Sequence, residues 1–451
     1  MSDSSPLSVV VVGAGPSGFF AADALLKAHE NVRVLLMDRL PTPYGLVRYG
    51  VAPDHPKIKS VTAAFERTCQ DPRVTFVGNV DVGRDISVDE LRQHADAVLL
   101  TVGASSDRSL GIAGEELKGS MSATEFVAWY NGHPDYADLT PDLSVEHAAV
   151  VGMGNVAVDV ARILAKSVDE LRTTDIADHA LEVLAESQVR EITMLGRRGP
   201  AQAKWTTKEL RELGELAHAD IDVLPEELAL EPGTEVDVNA SPAAQKNYEL
   251  LQAFAAQPSS GKARVLRIRF RVSPLELTGD GRVESMLVGR NRLLVEDGRT
   301  QAHDSGERFE WPAGLVLRSV GYRGVPLEGV PFHERRGVIP NESGRVLSDD
   351  GKQEAGLYVA GWIKRGPSGV IGTNKADALE TVRAMLEDVS AAGKDVAGVV
   401  HLLNDRGVQS VDFDEWLTLD AAEQAAGEAE GRPRVKVTSR DAMLTTAKGR
   451  S

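Results

Sequence analysis

The sequence predicts an α/β protein made of two strand–turn–helix units on parallel sheets, one unit inserted into the other. Three observations carry this expectation. A β-branched run at Val9–Val12 ends in a glycine-rich turn and then a helical pattern. A shorter run at Val150–Val151 does the same, and near Gly356 a third strand pattern leads through another glycine-rich loop into a helix. Parallel sheets with crossover helices place such turns at the carboxyl ends of their strands.

At 451 residues the chain has the length of two or three domains and enough residues to bury a real core. Its 42% hydrophobic and 26% charged content excludes disordered and fibrous classes. With 67 acidic against 50 basic residues the net charge is −17, which excludes the broad positive surface of a nucleic-acid binder. The single cysteine, Cys69, excludes a disulfide framework, a four-cysteine metal or iron–sulfur site, and a CxxC relay within the chain. It falls on a helical pattern (VTAAFERTCQ) beside no histidine and reads as an inert, packed thiol. No apolar run approaches the roughly 18 residues of a membrane span. Met1–Ser8 lacks a basic leader, and Val9–Val12 enters a glycine turn at once, so the segment reads as a first strand. The expectation is a soluble cytoplasmic protein, with no membrane or nucleic-acid partner.

In the first unit, LSVVVVGAGPSGFFAADALLK supplies Gly13, Gly15 and Gly18 in the GxGxxG spacing, strand before and helix after. The first glycine permits the tight turn, the second lets backbone approach a pyrophosphate, and the third lets helix pack on strand. The helix start offers unpaired N–H groups and partial positive charge to phosphate. About 20 residues on, NVRVLLMD ends in Asp38, an acid placed to accept hydrogen bonds from an adenosine ribose.

The second unit, HAAVVGMGNVAVDVARIL, carries Gly152, Met153, Gly154 and Asn155, with Ala157 where a third glycine usually stands. The next strand, VREITMLGRRGP, ends in Arg197 and Arg198 rather than an acid. A carboxylate there would read a free 2′-hydroxyl, whereas two guanidiniums match a 2′-phosphate in geometry and charge. The first unit therefore points to FAD and the second to NADP. DAVLLTVGASSDR and EWPAGLVLRSVGYRG read as buried strands that carry the chain between the two. GLYVAGWIKRGPSGVIGTNKADALETVRAML reads as a strand, a glycine-rich loop and a helix from about Asn374, whose backbone N–H groups would face the charge that builds on a reduced flavin. The expected fold class is α/β with two Rossmann-like dinucleotide-binding domains, as in the glutathione-reductase-like superfamily. The FAD domain comprises 1–106 and 322–451, and the NADP domain, 107–321, is inserted into it. The acidic, alanine-rich stretch Asp420–Glu430 reads as a solvated helix or loop.

The chain resembles the NADPH–ferredoxin reductases of the adrenodoxin-reductase type, bacterial members included. The stretches that carry the resemblance are GAGPSGFFAA at 13–22, LPTPYGLVRYGVAPDHPKIK at 40–59, GNVAVDVAR at 154–162, GRRGPAQAKWTTKELRE at 196–212 and VAGWIKRGPSGVIGTNK at 359–375. It is faint only around 215–265 and in the last 60 residues, apart from GRPRVKV at 431–437. The resemblance implies FAD contacts at Ala14, Asp38, Leu46, Val82, Trp362, Gly369, Val370 and Ile371, beside Gly13, Gly15 and Gly18 of the turn. It implies NADP contacts at Arg108, Met153, Gly154, Asn155, Val156, Arg197, Arg198, Glu209 and Gly369. Tyr44 stands where relatives often carry Trp. Met153 stands where a polar residue is common, and a thioether cannot donate the hydrogen bond of such a residue.

By the same resemblance, hydride passes from NADPH to the flavin, which returns electrons singly to a ferredoxin-type iron–sulfur protein; the chain is then a monomer or weak oligomer. His55 and Glu212 fall near the nicotinamide end, where they would act as hydrogen-bonding positioners. Read without the resemblance, a histidine between Pro53 and Pro56 is an exposed loop residue and Glu212 a surface helix residue. Lys204, Lys208 and Arg211, along one predicted helix start, are the candidate basic patch for an acidic ferredoxin, Lys246 is a weaker one, and Lys364 and Arg365 come next. Two other classes stay open at this point: a flavin-dependent NADPH monooxygenase, and a non-enzymatic FAD- and NADP-binding protein. Iron–sulfur flavoprotein subunits and thioredoxin-type reductases are excluded by the lack of a second cysteine.

Overall fold

The computed structural model describes residues 5–231 and 234–449; Met1–Ser4, part of the segment read as lacking a leader, lies outside them. The chain divides into two compact units, the first made of 1–107, 133–135 and 321–451, the second of 108–132 and 136–320.

The first unit is built on a seven-stranded sheet in the order Asn341–Glu342, Arg345–Leu347, Gln353–Val359, Ala97–Leu100, Leu7–Val12, Val32–Met37, Val74–Val77. The last five run parallel and the first two add an antiparallel edge. A strand covered on both faces has no polar side, which is why Val9–Val12 reads as an unbroken apolar run. Alternate residues go to separate cores: Val9, Val11, Val34 and Leu36 pack with the helix Pro16–Ala28, whereas Val10, Val12, Leu35 and Met37 pack with Leu91, Ile339 and Val399. Cys69 is buried in the first of these cores, where desolvation pushes its thiol up to about 12.

Asp420–Glu430 belongs to a longer helix, Phe413–Glu430, which starts at an Asp412–Glu415 capping box and ends at Gly431, φ +72°. Its buried stripe is Trp416, Leu419, Glu423 and Gly427, so the reading of this stretch as solvated is corrected at Glu423. Period and composition cannot show that a carboxylate in an acidic helix is paired with an arginine far away in sequence.

The second unit has a six-stranded parallel sheet in the order Ser120–Ser122, Leu315–Arg318, His147–Val151, Glu191–Gly196, Arg264–Phe270, Ala219–Val223. The stretch around 215–265, where the resemblance is faint, supplies the outer strand and the helix Pro242–Ala255, whose Leu251 and Phe254 enter the core. A three-stranded antiparallel sheet, Val272–Thr278, Ser285–Glu296 and Arg299–Pro312, was not expected from the sequence. Among the described residues no helix is long and apolar enough to cross a membrane.

Candidate functional site

In the first unit the turn after Leu7–Val12 is shaped by close backbone approaches. Gly13 has φ +107°, and a Cβ on it would lie 2.6 Å from the Thr101 carbonyl oxygen. Thr101 also donates its hydroxyl to the carbonyls of Val12 (2.9 Å) and Gly13 (2.7 Å). A Cβ on Gly18 would meet the Gly13 oxygen at 2.1 Å. Gly15 differs: a Cβ there would have only the Gly45 Cα within reach, at 4.0 Å. Packing inside the fold therefore demands Gly13 and Gly18 but does not demand Gly15. The helix Pro16–Ala28 begins with no side-chain cap and no acid in its first turn, so its orphan N–H groups have no partner from a capping side chain.

Asp38 follows the neighbouring strand. Its carboxylate accepts the backbone N–H of Ala14 at 2.8 Å and of Leu40 at 2.9 Å. Burial raises its pKa, against the lowering effect of those two hydrogen bonds. Each carboxylate oxygen has about two lone-pair positions, so both bonds leave capacity for further donors. Leu46 opens the short helix Leu46–Tyr49, and Val82 is buried in a bridge to Ile86.

The third glycine region comes back to this turn. Gly361, φ +82°, has no room for a Cβ, which would lie 2.2 Å from the Ser17 Oγ, and its N–H donates to Asp377 at 2.5 Å. Trp362 packs on Tyr322 with ring centroids 5.1 Å apart, and its indole Nε1 is buried with no hydrogen-bond acceptor among the described residues. The loop that follows carries Gly369 at φ +82°, Val370 at 56% exposure and Ile371, and runs into the helix Thr373–Asp388. Lys364 and Arg365 are not free surface cations. Lys364 is buried against Asp377 (3.2 Å) and Glu380 (2.5 Å), and Arg365 donates to Asn374 at 2.7 Å, so their reading as a docking patch is corrected.

His55 stands at the N-terminus of the short helix Pro56–Lys59 without a side-chain capping bond and is 5% exposed, unlike the exposed loop histidine expected from its flanking prolines.

In the second unit a Cβ on Gly152 would lie 2.2 Å from the Ser319 oxygen, whereas one on Gly154 would meet nothing within 4 Å. The same division between a packed glycine and an open one recurs here. The Met153 side chain lies over Gly196, whose Cβ would be 2.7 Å from Met153 Cγ, and the Met153 carbonyl accepts the Lys204 N–H at 2.8 Å. Lys204 thus precedes the helix Thr207–Leu213 instead of starting it. Asn155 Oδ1 accepts the Thr206 N–H at 2.8 Å, leaving its amide N–H groups to other acceptors.

Arg197 and Arg198 follow the strand Glu191–Gly196. Asn291 donates to the Arg197 carbonyl at 2.8 Å, and Arg271 N–H to that of Arg198 at 3.0 Å. These bonds fix the backbone, while among the described residues neither guanidinium is hydrogen-bonded to a carboxylate. Burial, then the neighbouring Arg197 charge, lowers the pKa of Arg198, with Asp237 opposing. Two adjacent cations without a bound carboxylate form a local site for a dianion. Arg108 is exposed.

One feature of the second unit escapes sequence reading. Arg162, on the helix Asn155–Ala165, is buried beside Asp159 (2.8 Å), Glu209 (3.5 Å) and Glu212 (3.8 Å). Glu209 is buried, and Glu212 is half-buried and also 3.4 Å from Lys208. The signal available was Asp159 and Arg162 at i,i+3 on a helix otherwise apolar on that face.

Residues 7–198 match the pyridine nucleotide-disulphide oxidoreductase family. The chain is 46% identical to the NADPH-ferredoxin reductase FprA of Mycobacterium tuberculosis, covering 98% of this chain and all of that one. It is 43% identical to the mitochondrial NADPH:adrenodoxin oxidoreductase of Arabidopsis thaliana, over 98% of this chain and 96% of the relative. The solved structure of the mycobacterial FprA in complex with NADPH superposes with a TM-score of 0.93, covering 98% and 100% of the two chains. The disulphide of the wider family's name has no counterpart here, where the one cysteine is buried with a raised pKa. The chain belongs to the family of NADPH–ferredoxin and adrenodoxin reductases.

Proposed function

We infer that this chain is an FAD-dependent oxidoreductase that takes hydride from NADPH and passes electrons singly to a ferredoxin-type iron–sulfur protein. The observation that carries the reading is the contrast between the two strand ends: Asp38 is bonded to one glycine turn, and Arg197 and Arg198 stand beside the other with no carboxylate bonded to them among the described residues.

Three features support FAD at the first turn. A Cβ on Gly15 would meet only the Gly45 Cα, at 4.0 Å, the helix starting at Pro16 has no side-chain cap, and the buried Trp362 indole N–H has no acceptor among the described residues. When bound, FAD supplies the conversion of a two-electron hydride into single electrons. The chain supplies position and field. Gly13–Gly18 and the helix start draw the pyrophosphate, Asp38 takes ribose hydroxyls, and Leu46, Val82 and Trp362 border the flavin. Gly369–Ile371 and the start of Thr373–Asp388 supply a glycine-rich loop and a helix N-terminus for the end of the cofactor where negative charge develops.

In the second unit Met153–Val156 receives the NADP pyrophosphate, Arg197 and Arg198 the 2′-phosphate, and Arg108 and Glu209 complete the contacts. Arg162 pairs with Glu209 and Glu212, and His55 and Glu212 act as hydrogen-bonding positioners at the nicotinamide end. No proton transfer is required of either. The reading extends to a cytoplasmic monomer or weak oligomer, a setting that suits one buried, unpaired thiol.

The test is a comparison of electron acceptors. Rapid NADPH oxidation with a one-electron dye and slow oxygen consumption are expected. Oxygen use coupled to a hydroxylated product would establish a monooxygenase instead.

A further inference from the structure

Two consecutive residues over the glycine turn of the first unit have left-handed backbone: Tyr44 at φ +82° and Gly45 at φ +47°. An L side chain rarely takes this conformation, and it persists where surroundings over-determine it. Here the surroundings are specific. The Tyr44 N–H donates to the Ala14 carbonyl at 2.8 Å, and a Cβ on Gly45 would lie 3.0 Å from the Gly15 Cα. The Tyr44 ring lies 5.5 Å from Phe19 and meets Trp416 edge-on at 5.8 Å.

Trp416 belongs to the helix Phe413–Glu430, and the same helix supplies Glu423. Its Oε1 meets Arg48 Nη2 at 2.5 Å across 375 residues of sequence, with side chains 0% and 4% exposed. The Arg48 guanidinium lies over both the Tyr49 and the Trp416 ring, 5.2 Å from each centroid. The return segment after Gly431 closes the arrangement. Val437 N–H donates to Glu423 Oε1 at 2.9 Å, Arg434 lies 3.1 Å from Oε2, and Lys436 donates to the Arg48 carbonyl at 3.3 Å. Burial disfavours the Arg48 charge, and the adjacent carboxylate more than offsets this, so its pKa lies above the ordinary arginine value. A buried ion pair adds little net stability over apolar packing, because desolvation opposes it, but it defines one geometry. The geometry defined here is that of the segment Tyr44–Arg48.

We propose that Glu423 is a positioning residue for the cofactor-binding turn: through Arg48 it holds Tyr44–Leu46 against Ala14–Gly15 and thereby slows release of FAD. The proposal rests on the reading that the turn Gly13–Gly18 takes FAD. GRPRVKV, the one patterned stretch near the carboxyl end, is then the strap that satisfies the second oxygen of Glu423 and the backbone beneath Arg48.

The test is FAD release from the purified holoprotein, followed as the rise of free-flavin fluorescence after dilution. Glu423→Gln removes the charge and keeps the shape; release is expected to quicken roughly 10- to 100-fold, with the KM for NADPH within about twofold of the parent. Arg48→Lys keeps the charge but loses the planar group over the two rings, and its release rate should fall between those of the parent and Glu423→Gln. Arg345→Gln breaks the ion pair to Asp388 (2.7 Å) in the same unit and serves as a stability control, with a lower Tm and unchanged release. Should Glu423→Gln fail to fold, Arg434→Gln, on the same carboxylate and partly exposed, should release FAD about threefold faster. Parental release from Glu423→Gln, or from Arg434→Gln in its place, overturns the proposal. So does equal acceleration by Arg345→Gln, which would reduce Glu423 to general stability. A Gly15→Val protein that keeps full flavin would instead remove the reading of the turn on which the proposal rests.

Discussion

The carboxylate of Asp38 accepts the backbone N–H of Ala14 at 2.8 Å, tying the end of one strand to the glycine turn that leaves its neighbour. The turn is thus held from three sides: by Thr101 beneath Gly13, by Asp38 beside Ala14, and by Gly45 over Gly15. Its open direction is the one in which Gly15 presents backbone.

That arrangement separates two kinds of glycine substitution. Gly15→Val should fold with a Tm within a few degrees of the parent, because the first side-chain atom meets nothing closer than 4.0 Å, yet it should purify without flavin. Gly13→Val places a branched side chain at φ +107° and 2.6 Å from a carbonyl oxygen, and should lose the fold itself. Flavin stoichiometry together with thermal unfolding checks both. A Gly15→Val protein at full stoichiometry contradicts the placement of the cofactor.

Coenzyme choice should reside in Arg197 and Arg198. Charge-assisted hydrogen bonds contribute roughly 1.5–3 kcal/mol each. Either arginine changed to Ala should therefore lower kcat/KM for NADPH on the order of 10- to 100-fold, with NADH nearly unaffected because it lacks the phosphate. Equal losses with both coenzymes would make the pair structural.

The partner surface has a charge problem to solve, since the chain carries −17 and the acidic ferredoxin expected from the resemblance would be repelled by it. Arg211 is exposed on the helix Thr207–Leu213, while Lys208 and Lys246 are each paired with a glutamate on their own helix. Arg211→Glu should slow ferredoxin reduction by about one to two orders of magnitude and leave flavin reduction by NADPH intact. The ferredoxin reaction of the parent should fall steeply as salt rises, because steering is screened over roughly 10 Å at 0.1 M. Normal ferredoxin reduction by Arg211→Glu across the salt series would place the docking surface elsewhere.

Stability of the first unit should depend on pH through His133. Burial lowers its pKa to about 4; Arg39 and Arg440 act in the same direction and Asp135 opposes, with the Tyr49 ring 4.9 Å away. Between about 4 and the ordinary 6.5 the unfolded chain binds the proton and the folded one does not, so stability rises with pH across that window. The contribution, on the order of 3 kcal/mol, is complete above about pH 6.5 and is lost as pH falls toward 4. His133→Gln should flatten the Tm profile over that range. A profile with the same slope would assign the dependence to other groups.

The fold was legible where backbone chemistry is local. Val9–Val12 before Gly13, and Val150–Val151 before Gly152, announce a strand, a turn and a helix in consecutive residues. The acid at Asp38 and the bases at Arg197 and Arg198 were legible for the same reason, each lying at the end of the next strand after its turn and helix. What stayed hidden depends on distant partners. Lys364 looks like a surface cation until Asp377 and Glu380 are brought beside it by the following helix. Glu423 looks like one acid among many until Arg48 meets it across 375 residues. In the antiparallel sheet the apolar triplets Met286–Val288 and Leu293–Val295 lie in one strand, Ser285–Glu296, with no glycine turn and helix after them, and the strand Arg299–Pro312 beside it is mostly polar.

The most direct test of the central claim, electron flow from NADPH through bound flavin to a one-electron acceptor, is an anaerobic titration of the purified protein with NADPH, followed by an excess of ferredoxin. The flavin absorbance should bleach on NADPH addition and return on ferredoxin addition, with about two ferredoxins reduced per NADPH consumed. A flavin that stays oxidised in excess NADPH, or one that bleaches and is not reoxidised by any ferredoxin offered, would contradict the account.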